Sequence, residues 1–86
     1  MSIKELSVFS GEDCAGCKTV KSVLTERGIK FQVKDIMDSD VMEEAMQLGI
    51  RGIPVTVLYS DGKPVEQVVG SSNQAIDRII EIAEGL

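Results

Sequence analysis

Strand-like and helix-like segments alternate along this chain, which restricts it to folds that interleave the two. Residues 6–9 form a short apolar run with a β-branched and an aromatic residue, typical of a buried strand. Apolar residues then recur at helical spacing from residue 17 to residue 24, and Gly28 stands where helices commonly end. Residues 31–36 indicate a second, less apolar strand, which we expect at an edge of the sheet. A strand–helix–strand unit of this kind requires parallel strands with a right-handed crossover.

The following segment indicates a second helix. Asp40-Val41-Met42-Glu43 has the pattern of a capping box, so we expect a helix that opens there and runs through Leu48, with Gly49 as its stop. The helical face that we expect to pack against the core carries Met42, Ala45 and Met46.

Two more strands and a third helix follow. Residues 53–59 are the strongest strand because they contain consecutive β-branched residues, and Asp61-Gly62 is the signal of a two-residue hairpin turn. Residues 64–69 form the return strand, whose proline predicts an edge position. Ser72 or Asn73 then caps the last helix. The apolar face of that helix carries Ile76, Ile79, Ile80 and Ala83.

The expected fold class is therefore α/β, in the order β-α-β-α-β-β-α, with one four-stranded mixed sheet flanked by three helices. The 86 residues suffice for about one small domain, so we expect a single domain over residues 1–86. A chain of this size has no room for a nucleotide-binding fold with a separate substrate domain.

Composition excludes several kinds of partner and chemistry. Nine basic against fourteen acidic residues give a net charge of −5, which disfavours nucleic acid and anionic membranes as partners. Histidine is absent, so neither a Ser-His-Asp triad nor a histidine-containing zinc site can form within the chain. The first residues lack the apolar stretch of a signal peptide, so we expect a cytoplasmic protein, which we further expect to be a monomer.

The two cysteines of the chain stand in Cys14-Ala15-Gly16-Cys17, between the first strand and the first helix. Positions i and i+3 share one helical turn, so the two sulfurs can come within disulfide distance. Free N–H groups at the helix start favour a negative charge on Cys14, while the small Ala15 and Gly16 leave its sulfur accessible. We therefore expect Cys14 to be the nucleophile and Cys17 the resolving thiol one turn inward, with Lys18 adding positive charge.

Other interpretations of the cysteine pair stay open at this point. The cysteines could be small apolar core residues, or a structural disulfide whose very short loop stabilises little. They could also supply half of a four-ligand zinc site completed by a dimer, or stand idle in an interaction module. We favour a redox role without a bound metal, because a C-x-x-C pair beside a βαβ pattern is typical of redox motifs in cytosolic proteins.

Five short motifs occur in one order along nearly the whole chain: Val8-Phe9-Ser10, Cys14-Ala15-Gly16-Cys17, Gly52-Ile53-Pro54-Val55, Gly62 and Gly70-Ser71. This order and spacing resemble the redoxins of the thioredoxin-fold superfamily, and most of all the glutaredoxins. The resemblance implies a thioredoxin fold. It also implies a thiol–disulfide oxidoreductase that reduces protein or mixed disulfides through its dithiol, with no bound cofactor.

The resemblance implies further site residues. In this family the proline after the second helix is cis and faces the cysteines, which gives that role to Pro54, while the backbone of Ile53 pairs with an extended substrate. Glutaredoxins hold a carboxylate of glutathione at the start of the last helix. Gly70, Ser71 and Ser72 occupy that place and suit an anion, so glutathione is the implied co-substrate.

Several positions depart from the family patterns. Thioredoxins carry an aromatic residue before the first cysteine and a buried aspartate six residues upstream of it, where this chain has Asp13 and Val8. Glutaredoxins commonly have proline and tyrosine between the cysteines, where this chain has Ala15 and Gly16 after the acidic stretch Gly11-Glu12-Asp13. A related group of short redoxins takes electrons from thioredoxin reductase and donates them to ribonucleotide reductase. This chain resembles that group in its size and in its segment Gly52-Ile53-Pro54-Val55. The resemblance therefore implies thioredoxin reductase as the alternative electron source.

Overall fold

Strands and helices follow one another in the predicted order in the computed structural model, which describes residues 3–85. The elements are β1 (Lys4–Ser10), α1 (Ala15–Glu26), β2 (Gln32–Asp35), α2 (Ser39–Gln47), β3 (Val55–Ser60), β4 (Lys63–Val69) and α3 (Asn73–Gly85). The strands form one sheet in the order β2-β1-β3-β4. β1 and β2 are parallel, whereas β3 is antiparallel to both β1 and β4. The predicted mixed α/β architecture is confirmed.

β2 and β4 are the outer strands of the sheet, as the sequence predicts for both. β2 is only four residues long and mostly exposed. β4 carries Pro64, and its pairing with β3 shifts register between Leu58 and Tyr59. In the turn between β3 and β4, Asp61 and Gly62 both have positive φ, 53° and 83°, as a two-residue hairpin turn requires.

The ends of two elements bear on the candidate site. β3 begins at Val55, two residues later than predicted, because Pro54 has no N–H to contribute to a strand ladder. The Pro54 carbonyl accepts a hydrogen bond from the amide of Gly70 at 2.9 Å, which ties it to the end of β4. Of the two predicted caps of α3, Ser72 is the one used, since its Oγ accepts from the amide of Ala75 at 3.1 Å.

Two apolar cores form, one on each face of the sheet. α1 and α3 cover the first face, and its buried residues are Leu6, Val8, Val20, Leu24, Leu58, Val68, Ile76, Ile79 and Ile80. α2 covers the second face, and its buried residues are Phe9, Ala45, Val55, Val57 and Tyr59. The predicted apolar face of the last helix is confirmed at Ile76, Ile79 and Ile80, and Ala83 packs against the same core while partly buried.

α2 differs from its prediction in two respects. It starts at Ser39 rather than at Asp40, because the carboxylate of Asp38 accepts from the amide of Asp40 at 3.0 Å and caps the helix earlier. Met42 and Met46 do not face the core and are 43% and 71% exposed. The inward face carries Val41, Glu44, Ala45 and Leu48.

Glu44, on the inward face of α2, contacts two residues of the sheet. Lys34 of β2 places its ammonium 2.8 Å from a carboxylate oxygen of Glu44. Tyr59 of β3 donates a short hydrogen bond to the other carboxylate oxygen. The same ammonium lies 4.5 Å from the centre of the Tyr59 ring, which is within the range of cation–π attraction. These contacts fix the rotation of α2 about its own axis, with Glu44 facing the sheet.

Opposing effects act on the carboxyl of Glu44. Burial raises its pKa, but hydrogen bonds from Lys34 and Tyr59 and the charge of Lys34 outweigh burial, so the net pKa lies below its ordinary value. Burial raises the pKa of Tyr59, and the hydrogen bond to Glu44 and the negative charge of Glu44 raise it further. The hydroxyl of Tyr59 therefore remains protonated and donates to Glu44. Because the pKa of Glu44 is lowered, its contribution to stability is present above the ordinary titration range of glutamate and is lost as the pH falls through the lowered pKa.

Glu44→Gln should lower the free energy of unfolding by about 1 kcal/mol at neutral pH, because Lys34 loses its ion pair and Tyr59 loses a charged acceptor. The difference from the unsubstituted protein should shrink at acid pH, as the pH falls through the lowered pKa of Glu44 and the native carboxyl takes up a proton. Urea unfolding at both pH values measures this, with the exposed neighbour Glu43→Gln as the matched control. An equal loss at both pH values would show that charge is not the stabilising element.

Candidate active site

The two cysteines lie where β1 gives way to α1. Cys14 is the N-cap residue of α1, which confirms its predicted place at the helix start. Its sulfur is bonded to that of Cys17 in a disulfide, with the two Cα atoms 5.3 Å apart. Cys14 is half-buried, whereas Cys17 is 1% exposed. A reactant arriving from solvent therefore meets the sulfur of Cys14 first.

The helix start supplies positive potential to the sulfur of Cys14. The amide of Cys17 donates to this sulfur at 3.1 Å, in the manner of an N-cap hydrogen bond. No acidic residue lies in the first turn of α1, so its dipole is not offset there. Glu12 and Asp13 precede the helix and are exposed, and Asp13 has a positive φ of 53°.

Two lysines of α1 differ in their surroundings. Lys18, a predicted supporting residue, is exposed on the first turn beside the exposed Ala15. Lys21 is half-buried, and its ammonium lies 3.5 Å from the hydroxyl of Ser10, which is itself 3% exposed at the carboxyl end of β1. The positive charge of Lys21 is therefore held at the end of the strand that leads to Cys14.

Gly16 brings the cysteine motif against two other segments of the chain. A Cβ atom at Gly16 would lie 3.1 Å from Cδ of Pro54 and 3.1 Å from Oγ of Ser71. The Ile53–Pro54 peptide bond is cis, as predicted. Pro54 is joined by hydrogen bond to Gly70, which has a φ of 93°. The structure thus places Pro54, Gly70 and Ser71 beside the cysteine pair, which for Pro54 is the place that the family resemblance implies.

An apolar groove continues from this cluster towards α2. It is lined by Ile36, Met42, Ala45, Ile50, Arg51, Gly52 and Ile53. At one end of the groove, Ile53 reaches Gly11, where a Cβ atom would lie only 2.8 Å from Cδ1 of Ile53 and 3.3 Å from Ile36. The exposed Arg51 adds a cation beside Ile53.

Sequence reasoning did not single out Ile36, Arg51 or Met42 as site residues. A signal for Ile36 was present, because the carboxyl ends of parallel β1 and β2 meet at one edge of a sheet, and Ile36 follows β2 as Gly11 follows β1. Nothing in the sequence indicated Met42, since its helical spacing fits a core position equally well.

Neither a metal centre nor a membrane span is found in the part of the chain that the structure describes. Among residues 3–85, no three histidine, cysteine, aspartate or glutamate side chains are grouped so that they could hold a metal ion. No helix within that range combines the length and the apolar character needed to cross a membrane.

Comparison with known proteins shows which sequences this chain resembles. The sequence profile of the glutaredoxin family matches residues 6–65. The SPbeta prophage-derived thioredoxin-like protein YosR of Bacillus subtilis (strain 168) is 33% identical over 70 residues, which are 80% of this chain and 85% of YosR. A thioredoxin of Staphylococcus aureus is 36% identical over 61 residues, which cover 66% of this chain but only 59% of that thioredoxin.

Solved structures show the same fold. Reduced thioredoxin pre-protein of Schistosoma mansoni superposes with a TM-score of 0.74 at 23% identity, over 95% of this chain and 77% of that one. At this identity the likeness concerns the fold, and it confirms the thioredoxin fold that the family resemblance implies.

Gly16→Ala should lower the free energy of unfolding of the disulfide form by about 1 kcal/mol, because shifting the rigid ring of Pro54 by a few tenths of an ångström costs more than alanine gains over glycine in the first turn of α1. Gly52→Ala is the matched control: it lies in the same region, but a Cβ atom there has no neighbour within 4 Å. Urea unfolding of both variants measures the difference. Equal stability of the two variants would show that Gly16 is not closely packed against its neighbours.

Proposed function

This chain belongs to the glutaredoxin family, and on that basis we propose how it works as a dithiol–disulfide oxidoreductase. The observation that carries the proposal is the accessible sulfur of Cys14 at the start of α1, disulfide-bonded to the buried Cys17. In the proposal, Cys14 is the attacking residue and Cys17 the resolving one. Because the family relation and the fold favour redox chemistry, the zinc-dimer and interaction-module interpretations are not favoured.

The reaction begins with both cysteines reduced. The Cys14 thiolate attacks one sulfur of a substrate disulfide, forms a mixed disulfide and releases the other substrate sulfur as a thiolate. The Cys17 thiolate then attacks the sulfur of Cys14 and releases the second substrate thiolate. The substrate gains two electrons and two protons, and the protein ends with the Cys14–Cys17 disulfide present in this structure.

Charge and hydrogen bonding distinguish the two sulfurs. A thiolate on Cys14 faces the free N–H groups of the first turn of α1 and can accept a hydrogen bond from the amide of Cys17. The buried position of Cys17 disfavours an isolated thiolate there, so it reacts after the mixed disulfide has formed. Exposed Ala15 leaves the approach to Cys14 open, and Lys18 adds a cation on the same turn.

Ile53 and Pro54 are proposed to hold the substrate in an extended form. Ile53 precedes β3, and among the described residues its backbone makes no hydrogen bond. An extended segment can therefore pair with it as an added strand. Pro54 contacts the motif at Gly16, so a segment paired with Ile53 lies next to Cys14.

Gly70, Ser71 and Ser72 are proposed to hold a carboxylate of glutathione. They lie immediately before α3, whose first N–H groups favour an anion. Ser71 adjoins Gly16, so an anion held there lies close to the cysteine pair. Glutathione in this role is a co-substrate that recharges the dithiol, not a bound cofactor.

The electron source has two candidates. Glutathione is favoured by the family and by the helix start at Ser72, whereas Glu12 and Asp13 repel it as an anion. Thioredoxin reductase, with ribonucleotide reductase as acceptor, is the second candidate, supported by relatives that are thioredoxins. We propose weak glutathione-dependent turnover. We also propose that the chain is a monomeric single domain of the cytoplasm, where reducing conditions supply the dithiol form.

Cys17→Ser should accumulate a mixed disulfide between Cys14 and the substrate, because the resolving thiol is removed. Cys14→Ser should form no adduct, since the buried Cys17 is not reached. Mass spectrometry of each reduced variant after mixing with a protein disulfide measures the adduct. Equal adduct on both variants would overturn the two-step assignment.

Neutralising the acidic pair by Glu12→Gln with Asp13→Asn should lower the Michaelis constant for glutathione by a few-fold, because like charges within about 10 Å are only partly screened at physiological salt. Asparagine is chosen because it tolerates the positive φ of residue 13. Steady-state kinetics over a series of salt concentrations measures the effect, with the exposed Glu81→Gln of α3 as the control. An unchanged constant in the double variant would show that the pair does not repel glutathione.

A further inference from the structure

Lys21 lies one helical turn after Cys17, beside the face of α1 that packs against the sheet. The buried residues of α1 are Cys17, Val20 and Leu24, and the last two belong to the core that α1 covers. Side chains of an α-helix lean towards its N-terminus, so a residue covers the turn before its own position. The half-buried side chain of Lys21 therefore extends over the turn that carries Cys17.

Ser10 holds the ammonium of Lys21 at the carboxyl end of β1. Leu6 and Val8 of β1 face the core under α1, and Ser10 faces the same side because side chains alternate along a strand. Ser10 is 3% exposed, and its hydroxyl lies 3.5 Å from the ammonium of Lys21. A buried hydroxyl requires a hydrogen-bond partner, so this contact keeps the ammonium between α1 and β1.

The elements packed around Cys17 direct uncharged side chains towards it. Thr56 of β3 lies opposite Val8 and is 1% exposed, and the buried residues of α3 are all isoleucines. Asp77 of α3 is paired with Arg27, which follows the opposite end of α1.

The other charged residues near this end of the sheet are exposed to solvent: Glu12, Asp13, Lys18 and Asp35. Asp35 of β2 lies opposite Ser10, and its carboxylate accepts a hydrogen bond from the amide of Met37 at 2.9 Å. Water screens exposed charges more strongly than half-buried ones. Among the described residues, Lys21 is therefore the charge that is best placed to act on Cys17.

The resolving step needs a thiolate on Cys17, and the burial of Cys17 opposes a negative charge there. The N-cap hydrogen bond at the helix start is made to the sulfur of Cys14, so it does not serve Cys17. A neighbouring cation lowers the cost of a buried negative charge, and its attraction is stronger where water is excluded.

We propose that Lys21, held in place by Ser10, stabilises the thiolate of Cys17 and thereby speeds the resolving step. The Cys17 thiolate, whose proton has gone to solvent, attacks the sulfur of Cys14. The bond from Cys14 to the substrate sulfur breaks, and that sulfur leaves with the electron pair and takes up a proton. Lys21 forms and breaks no bond, so it is a positioning residue that acts through Cys17. The proposal rests on the proposed function, because it presumes that Cys14 attacks the substrate first.

The test follows the two exchange steps separately with the neutral dipyridyl disulfide. Attack by Cys14 releases one pyridinethione, and attack by Cys17 on the resulting mixed disulfide releases the second, so both steps are followed by absorbance. Pre-reduced protein and reagent are mixed in equal amounts, and the second step is recognised by a rate constant that does not depend on their concentration. This rate constant is measured over a pH series that spans the titration of thiols.

Lys21→Met removes the charge and keeps an unbranched apolar side chain. We expect it to raise the midpoint of the pH profile of the second step by about one pH unit. Below the midpoint the thiolate fraction then falls about tenfold, but a more basic thiolate is about threefold more nucleophilic, so the step slows about threefold. Above both midpoints the variant should be at least as fast as the unsubstituted protein. A role confined to packing would instead slow the step at every pH.

Three further variants separate this role from general effects. Lys21→Arg keeps the charge and should retain the unsubstituted profile. Lys30→Met removes an exposed lysine beyond the opposite end of α1, and it should leave both steps unchanged although the net charge changes equally. Ser10→Ala releases the ammonium and should raise the midpoint by a smaller amount than Lys21→Met. An unshifted midpoint in Lys21→Met or Ser10→Ala, or an equal shift in Lys30→Met, would overturn the proposal.

Failure of the proposed function would give a different result from failure of the role of Lys21. The first step should keep its rate in Lys21→Met, because the amide of Cys17 and the helix start stabilise Cys14, and this also shows that the variant is folded. If Cys17→Ser released no pyridinethione while Cys14→Ser did, the order of attack and with it the proposed function would be wrong. Two release steps with the same pH midpoint in the presence and absence of Lys21 would contradict the role of Lys21 alone.

Discussion

The close approach of Gly16 to Pro54 and Ser71 is the contact on which the site depends. It joins the cysteine motif, the segment before β3 and the segment before α3, which are far apart in the sequence. A hydrogen bond from Gly70 to Pro54 ties two of these segments together independently of the cysteines. The surroundings of Cys14 are therefore fixed by the packing of the Pro54 ring and the Ser71 side chain against Gly16, and the absence of a side chain at Gly16 permits this approach.

Local sequence signals predicted most of the fold. The hairpin turn at Asp61-Gly62 and the caps at Cys14 and Ser72 each depend on residues close by in sequence, and each is confirmed. The cis bond before Pro54 and its place beside the cysteines followed from the family resemblance. What such signals could not supply is which residues of α2 face the sheet.

The rotation of α2 depends on partners that are distant in the sequence. Apolar residues at positions 42, 45 and 46 satisfy a helical period as well as those at positions 41, 45 and 48. The inward side is decided by Glu44, a charged residue that would ordinarily be expected to face solvent. Its burial is compensated by Lys34 and Tyr59, which only the assembled sheet brings together. The groove beside the cysteines was missed for the same reason.

The two outer strands of the sheet, β2 and β4, are poor templates for pairing with another extended chain. A redoxin has to pair with extended chain, yet an open sheet edge would accept any such chain and promote aggregation. Here β2 is only four residues long, and β4 is interrupted by Pro64 and by the register shift opposite Leu58 and Tyr59. Ile53, whose backbone makes no hydrogen bond among the described residues, lies outside both edge strands and precedes Pro54, which adjoins the cysteine motif at Gly16. With the proposed role of Ile53, an incoming strand would meet poor templates along the sheet and a usable one beside the cysteine motif, so the short and interrupted edge strands would add to the specificity of the protein.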